Sequence, residues 1–278
     1  MHKPIKRSPF RIYAGTKYYR LKRYWSWFTD SRKYAKRMRI TDNDLLPHVI
    51  AEHRTPLTRQ LKEVDQWLQH NKVKNLQIAA KRLNHILIKP GETFSYWRLI
   101  GNPTKSKGYL DGMILFYGKV VTGVGGGLCQ LSNLIYWMTL HSPLTVTERY
   151  RHSYDVFPDS GRTQPFGSGA TCAYNYLDLQ IENQTQQCYQ LVVYLTDTHL
   201  VGEWRSVASA VNTYQVYEKE HWITQEFWGA YIRHNTIYRK VFNADQEQLS
   251  DEFITENHAI MMYEPLLTAG EYFSNDSK

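Results

Sequence analysis

Gly123-Val124-Gly125-Gly126-Gly127-Leu128-Cys129-Gln130 runs straight into Leu131-Ser132-Asn133-Leu134-Ile135-Tyr136-Trp137-Met138-Thr139-Leu140-His141. The second stretch reads as a helix of about three turns, with Leu131, Leu134, Ile135, Met138 and the side of Trp137 on its buried face. Three consecutive glycines oppose helix formation, so the helix is expected to begin at about Leu128 or Cys129. That start sets the Cys129 sulfur near the positive end of the helix dipole, beside unpaired backbone N–H groups. Both effects favour thiolate over thiol and lower the cysteine pKa. The glycines also let a substrate backbone come close, and spare amides can receive an oxyanion.

Other glycine motifs fail on spacing. A phosphate loop ends in Gly-Lys-Ser/Thr, whereas Gly127 is followed by Leu128-Cys129. A dinucleotide fingerprint needs a glycine three places after Gly125, where Leu128 stands. One alternative stays open at this level: a free cysteine buried in a tight turn for packing alone.

A thiolate nucleophile needs a base. His141 shares the helix, but twelve residues at about 1.5 Å each place it roughly 18 Å away. His152 is the better candidate. It follows the Pro143 break and a strand-like run over 144–147, which can return the chain towards the helix start. A surface histidine in a polar turn is the competing reading. His85 is expected on a helix. No cofactor motif is present. For metals there is no Cys-x-x-Cys and no His-Glu-x-x-His, and the group Asp42, Asp44, His48, Glu52 and His53 reads as an exposed polar helix end.

Working outward, the apolar spacing predicts helices over 56–70 and from Val73 to Ile88, stopped by Lys89-Pro90-Gly91. Phe94 to Trp97 reads as a short strand, and Met113 to Val121 has strand character. From Tyr174 onward the pattern is mostly strands: alternation at Leu177, Leu179 and Ile181, then Tyr189–Thr196, Thr213–Tyr217, His221–Phe227 and Thr236–Phe242. The expected class is α+β: N-terminal helices and a glycine-rich loop leading into the Cys129 helix, packed on a mainly antiparallel sheet. Three parts are expected: a basic aromatic segment (1–40), a main domain (41–205), and a β-rich extension (206–278) packed on the same domain.

The net charge of +8 is uneven. Residues 1–40 hold thirteen Lys/Arg against Asp30 alone, so the remaining 238 residues sum to about −4. Aromatics interleave with those charges at Tyr13, Tyr18, Tyr19, Tyr24, Trp25, Trp27, Phe28 and Tyr34. Three readings compete: a solvated arm partly packed on the domain, contact with an anionic membrane surface, and nucleic-acid binding, the weakest of the three. The odd, low count of cysteines, Cys129, Cys172 and Cys188, argues against a disulfide framework and fits a reducing compartment or a free thiol. The basic N-terminus lacks a signal peptide's apolar core, and no run reaches the ~18–20 apolar residues of a spanning helix. The expected location is the cytoplasm, with peripheral contact at the inner membrane face.

Five blocks in order give residues 89–183 a family resemblance. Lys89-Pro90-Gly91-Glu92-Thr93-Phe94-Ser95 opens, followed by Gly108-Tyr109 with Asp111-Gly112, then Gly125-Gly126-Gly127-Leu128-Cys129-Gln130. His152-Ser153 and Asp178-Leu179 with Asn183 complete the set. This stretch resembles the VanW family, named for an accessory protein of vancomycin-resistance gene clusters, some of whose members are similar to L,D-transpeptidases. The resemblance implies Cys129 as nucleophile on a peptidoglycan-type peptide and His152 as proton carrier. Gly125, Gly126 and Gly127 would hold the oxyanion, with Gln130 as a further amide donor. Asp178 or Asp155 would orient the histidine, in place of an aspartate that many members carry where this chain has Gly169. Ser153 and Tyr96 are candidate substrate contacts. A non-catalytic binder of cell-wall precursor or envelope protein is the alternative. Nothing in the sequence addresses oligomeric state.

Overall fold

The computed structural model describes residues 4–5, 7–37, 44–58, 65–156, 163–265 and 272–273, the last pair by backbone only. In chain order the elements are α1 (Pro9–Thr29), β1 (Lys33–Tyr34), β2 (His48–Pro56), α2 (Gln66–Leu83), β3 (Ile86–Ile88), β4 (Glu92–Ser95) and α3 (Tyr96–Ile100). Then come a hairpin of β5 (Asp111–Phe116) and β6 (Lys119–Val124), α4 (Cys129–Leu140), β7 (Thr145–Glu148), β8 (Tyr154–Asp155) and β9 (Gln180–Glu182). The chain closes with β10 (Tyr189–Leu195), β11 (His199–Ser206), β12 (Thr213–Gln225), β13 (Tyr231–Phe242), β14 (Gln248–Met261) and β15 (Tyr272–Phe273). The fold is α+β, with helices beside mainly antiparallel sheets.

Besides the hairpin there are three sheets, ordered β1-β4-β9-β7, β2-β11-β10-β3 and β15-β12-β13-β14-β8. The first two share one core with α2 and α4. Leu76, Ala79, Ala80 and Leu83 of α2 meet Ile86 and Ile88, Leu191 and Val193, and Leu131, Leu134, Ile135 and Met138 of α4. The spacing of those α4 residues is the helical one expected. Gly202 on β11 lets α4 approach: a Cβ there would lie 2.7 Å from Met138 Cε and 2.9 Å from Leu134 Cδ2. Trp204, fully buried on the same strand, donates its indole N–H to Thr139 Oγ1 at 3.1 Å. The third sheet is tied back through β8, which pairs with β14 at Tyr154↔Ile260.

Several elements depart from the sequence expectation. Thr55 and Pro56 close strand β2 rather than opening a helix, and Leu61 and Val64 lie outside the described residues. The helix read as reaching Ile88 ends at Leu83, because His85 adopts a left-handed backbone (φ 65°) and Ile86–Ile88 pair with β10. His85 therefore sits in a turn, not on a helix. Ser95 Oγ accepts from the Arg98 amide at 3.3 Å, so the expected strand over 94–97 stops at Ser95 and α3 begins. Tyr117-Gly118 fold the 113–121 run into two strands. Residues 213–225 form one strand instead of two, bulged between Glu218 and Glu220. Within the basic segment, Pro9–Thr29 is helical, capped by Ser8 Oγ accepting from the Arg11 amide at 3.3 Å. Among the described residues no helix is long and apolar enough to cross a membrane.

Candidate functional site

Cys129 is the first residue of α4, with Leu128 as its N-cap. The glycines ahead of it serve close packing. Gly126 lies against Gly112 of β5: a Cβ at Gly126 would sit 2.1 Å from the Gly112 carbonyl carbon. A Cβ at Gly127, whose φ is +91°, would sit 2.2 Å from Lys72 Cγ. Asn75, fully buried on α2, locks the loop by donating Nδ2 to Gly126 O and to Leu110 O, both at 3.0 Å, while its Oδ1 accepts from Leu110 N at 2.8 Å.

This packing uses two of the amides expected to receive an oxyanion. Gly125 N donates to Leu110 O at 3.0 Å and Gly126 N to Gly123 O at 3.1 Å. Among the described residues the Gly127 and Leu128 amides have no hydrogen-bond partner, so the donors are shifted one or two residues towards the sulfur. Gln130 turns the other way, giving its Nε2 to Thr55 Oγ1 at 2.9 Å and Pro56 O at 2.8 Å. Tyr96, fully buried, donates its hydroxyl to Leu128 O at 2.9 Å and so fixes the helix start from below.

The thiol is free, on a half-buried residue. Its Sγ donates to the Cys172 carbonyl at 3.6 Å. Burial pushes its pKa above the usual thiol value, and backbone hydrogen bonding at Cys172 and at Cys129 itself only partly offsets this. The expectation of a depressed pKa is therefore corrected: the dipole effect is local, and desolvation outweighs it. Alkylation of Cys129 by iodoacetamide, followed by peptide mass mapping, will keep accelerating above pH 9. A plateau near pH 7 would contradict the burial account. Cys172 is pushed further in the same direction, first by burial and then by the neighbouring Cys129.

His152 is half-buried, and burial lowers its pKa, so its imidazole is neutral at pH 7. Its segment runs beside that of Cys172, since Thr171 N donates to Tyr150 O at 2.8 Å. Among the described residues no imidazole hydrogen-bonds to the Cys129 sulfur. Ser153 is exposed, and its carbonyl accepts from Ile260 N at 3.0 Å. Asp155 belongs to the third sheet through β8, accepting from Tyr263 Oη at 2.8 Å and pairing with Arg233 at 3.5 Å.

Asp178 is fully buried and organises the turn from β4 into α3. It accepts from Ser95 Oγ at 2.6 Å, Trp97 N at 2.9 Å, Leu179 N at 3.0 Å and Gln180 Nε2 at 3.4 Å. Burial raises its pKa to about 6 against the pull of Ser95 and the Trp97 amide.

Residues not singled out in the sequence complete the surroundings. Asn133 Oδ1 accepts from Ala170 N at 2.7 Å, and a Cβ at Gly169 would lie 2.7 Å from it, so this carboxamide fills the space of a side chain at 169. Arg149 donates to the carbonyls of Gly169, at 2.8 Å, and Gly167. Such roles depend on partners distant in sequence and carry no local pattern. Among the described residues no group of three or more His, Cys, Asp or Glu could hold a metal, and Asp42 lies outside those residues. A cavity of about 300 Å³ lies at the other end of α4, lined by Ile50, Glu52, Trp137, His141 and Tyr214, and does not reach Cys129.

Comparison with known proteins gives this arrangement a family. Residues 71–205 match the family profile described as VanW like protein. The chain is 42% identical over 158 residues to "Vancomycin B-type resistance protein VanW" of Enterococcus faecalis (strain ATCC 700802 / V583), covering 57% of this chain and 58% of that one. It is 28% identical over 146 residues to "Uncharacterized protein YoaR" of Bacillus subtilis (strain 168), covering 52% and 45%. The chain thus spans about half the length of the curated relatives it matches. No solved structure matches it. Residues 71–205, which hold the glycine loop, Cys129 and the Asp178 turn, are thus similar to the VanW family.

Proposed function

We propose that this chain takes part in resistance to vancomycin-type glycopeptides, as its enterococcal relative's name states for that protein, and that its VanW domain performs thiol-dependent acyl transfer on a peptidoglycan-type peptide. The observation that carries this reading is a free thiol on the first residue of α4, next to the unpartnered amides of Gly127 and Leu128. Cys129 Sγ attacks a peptide carbonyl as its proton passes to the neutral His152 imidazole. The oxyanion forms against the two amides. The C–N bond then breaks, and the leaving amine takes the proton from His152. The thioester on Cys129 passes to an incoming amine, or to water, restoring the thiol.

A second reading has its own support. The thiol is bonded to a backbone carbonyl, protonated at rest, and among the described residues has no imidazole hydrogen-bonded to it. These features favour a domain that binds the peptide without reacting with it.

The two readings separate in one experiment. The purified chain is incubated with a peptidoglycan-stem peptide carrying a thiol-directed electrophile, and adducts are mapped by mass spectrometry. Acyl transfer predicts labelling at Cys129, abolished by Cys129→Ala and retained in Cys172→Ala. His152→Gln will slow it at least about a hundredfold, the lower range of general-base effects. No labelling at Cys129, with saturable calorimetric binding of the unmodified peptide that survives Cys129→Ala, would replace this reading with the binder.

A further inference from the structure

Helix α1 is held to the domain by one face. Arg23 forms a bidentate ion pair with Glu148, both largely buried. Arg20 Nε donates to Tyr174 O at 2.7 Å, and the Tyr24 and Tyr174 hydroxyls meet at 2.7 Å. Arg98 reaches the Trp27 carbonyl at 3.4 Å and lies over its ring. These contacts fix the rotation of the helix, so its opposite face is turned outward.

That outward face is apolar. Phe10, Ala14, Tyr18, Leu21, Trp25 and Phe28 recur at intervals of four and three, which puts them on one stripe of a helix about 31 Å long. Phe10 is 79% exposed, Tyr18 61%, Leu21 69%, Trp25 68% and Phe28 82%. Cations border the stripe: Arg11 and Lys22 along one edge, Lys17 along the other. No Asp or Glu occurs before Asp30.

We infer that this face docks on an anionic lipid bilayer. The helix lies in the interfacial plane, with the apolar stripe among the upper acyl chains and the bordering cations on acidic headgroups. The distribution of charge selects this occupant. A second copy would bring the same cations against themselves, with no acid on the helix to neutralise them. A nucleic-acid strand would meet its cations only at the margins of a continuous apolar arc, where bases gain little from phosphate contacts. The inference is independent of the chemistry at Cys129, which lies on a different element.

Co-sedimentation of the full chain with vesicles tests it. Binding is expected to phosphatidylglycerol-containing vesicles at 0.1 M salt, at least tenfold stronger than to pure phosphatidylcholine, and released at 0.5 M salt. Lys17→Gln and Lys22→Gln will each weaken it about fivefold, as expected for one surface cation. The triple variant Leu21→Ser/Trp25→Ser/Phe28→Ser will abolish it while circular dichroism stays unchanged, since these side chains are exposed. Failure to bind anionic vesicles would overturn the proposal, as would equal binding by the triple variant. A concentration-dependent dimer that the triple variant dissociates would assign the face to a second copy instead. Salt-sensitive retention of single-stranded oligonucleotide without retention of vesicles would assign it to nucleic acid.

Discussion

Gly126→Ala will destabilise the protein by about 3 kcal/mol or more, at the upper end of what overpacking a rigid contact costs. The added methyl would lie 2.1 Å from the Gly112 carbonyl carbon, 2.3 Å from its oxygen and 2.6 Å from Met113 N. All three are backbone atoms of β5, so no rotamer change relieves the clash. The loop must lift from the hairpin, which also breaks the Asn75 bond to Gly126 O. Gly112→Ala meets the same contact from the other side, 2.5 Å from Gly126 O, and will cost a similar amount. Once one methyl has opened the gap, the second adds little. The double variant should therefore lose far less than the two single losses combined, a strong coupling between neighbours. Urea unfolding of the four proteins measures the cycle. Additive losses, or a loss below about 1 kcal/mol at either position, would contradict the packing role given to this glycine pair.

This contact also shows what the sequence could and could not convey. Three glycines followed by an apolar helical pattern were enough to place the start of α4 at Cys129, because helix initiation and glycine's reluctance to join it are local effects. The run of β-formers at Tyr189–Thr196 pointed to β10 for the same reason. What the glycines pack against was not legible, since Gly112, Lys72 and Asn75 approach from elements far along the chain. The thiol's electrostatics divide in the same way. The dipole at a helix start can be inferred from neighbours, whereas the desolvation that outweighs it comes from tertiary packing around Cys172. Strand β14 escaped notice because exposed Leu249 and Phe253 and buried Asn257 break the period-two pattern. For helix α1 the interleaved aromatic and basic residues left a solvated arm, a membrane contact and a nucleic-acid contact all open. The helix's apolar stripe emerges only when the positions are projected around an axis.

The stability of the protein relative to its Asp178→Asn variant will fall by about 2 kcal/mol between pH 4 and pH 7. Asp178 is fully enclosed, and burial lifts its pKa from the usual 3.8 to about 6. A folded-state pKa raised above the unfolded one means that the native protein holds the proton longer. The group's contribution is complete below about pH 4 and is lost as pH rises through about 6, by about 1.4 kcal/mol for each pH unit of displacement. Asparagine is neutral throughout. Its amide oxygen can still accept from the Trp97 and Leu179 amides, so the β4–α3 turn keeps two of its bonds. At pH 4 the variant will be the weaker protein, because its amide nitrogen faces Gln180 Nε2 and displaces the Ser95 hydroxyl proton. By pH 7 the wild type carries a buried carboxylate next to Glu148, offset only in part by Arg23, and the gap narrows. Urea midpoints and slopes recorded for both proteins from pH 4 to pH 8 give the difference directly. Parallel curves would mean that Asp178 ionises as an ordinary carboxylate and that its environment is far better solvated than its packing indicates. A narrowing confined to pH 4–6.5 would identify the acid at the β4–α3 turn as the titrating group. It would also make the site's own scaffold more stable under mildly acidic conditions than at neutrality.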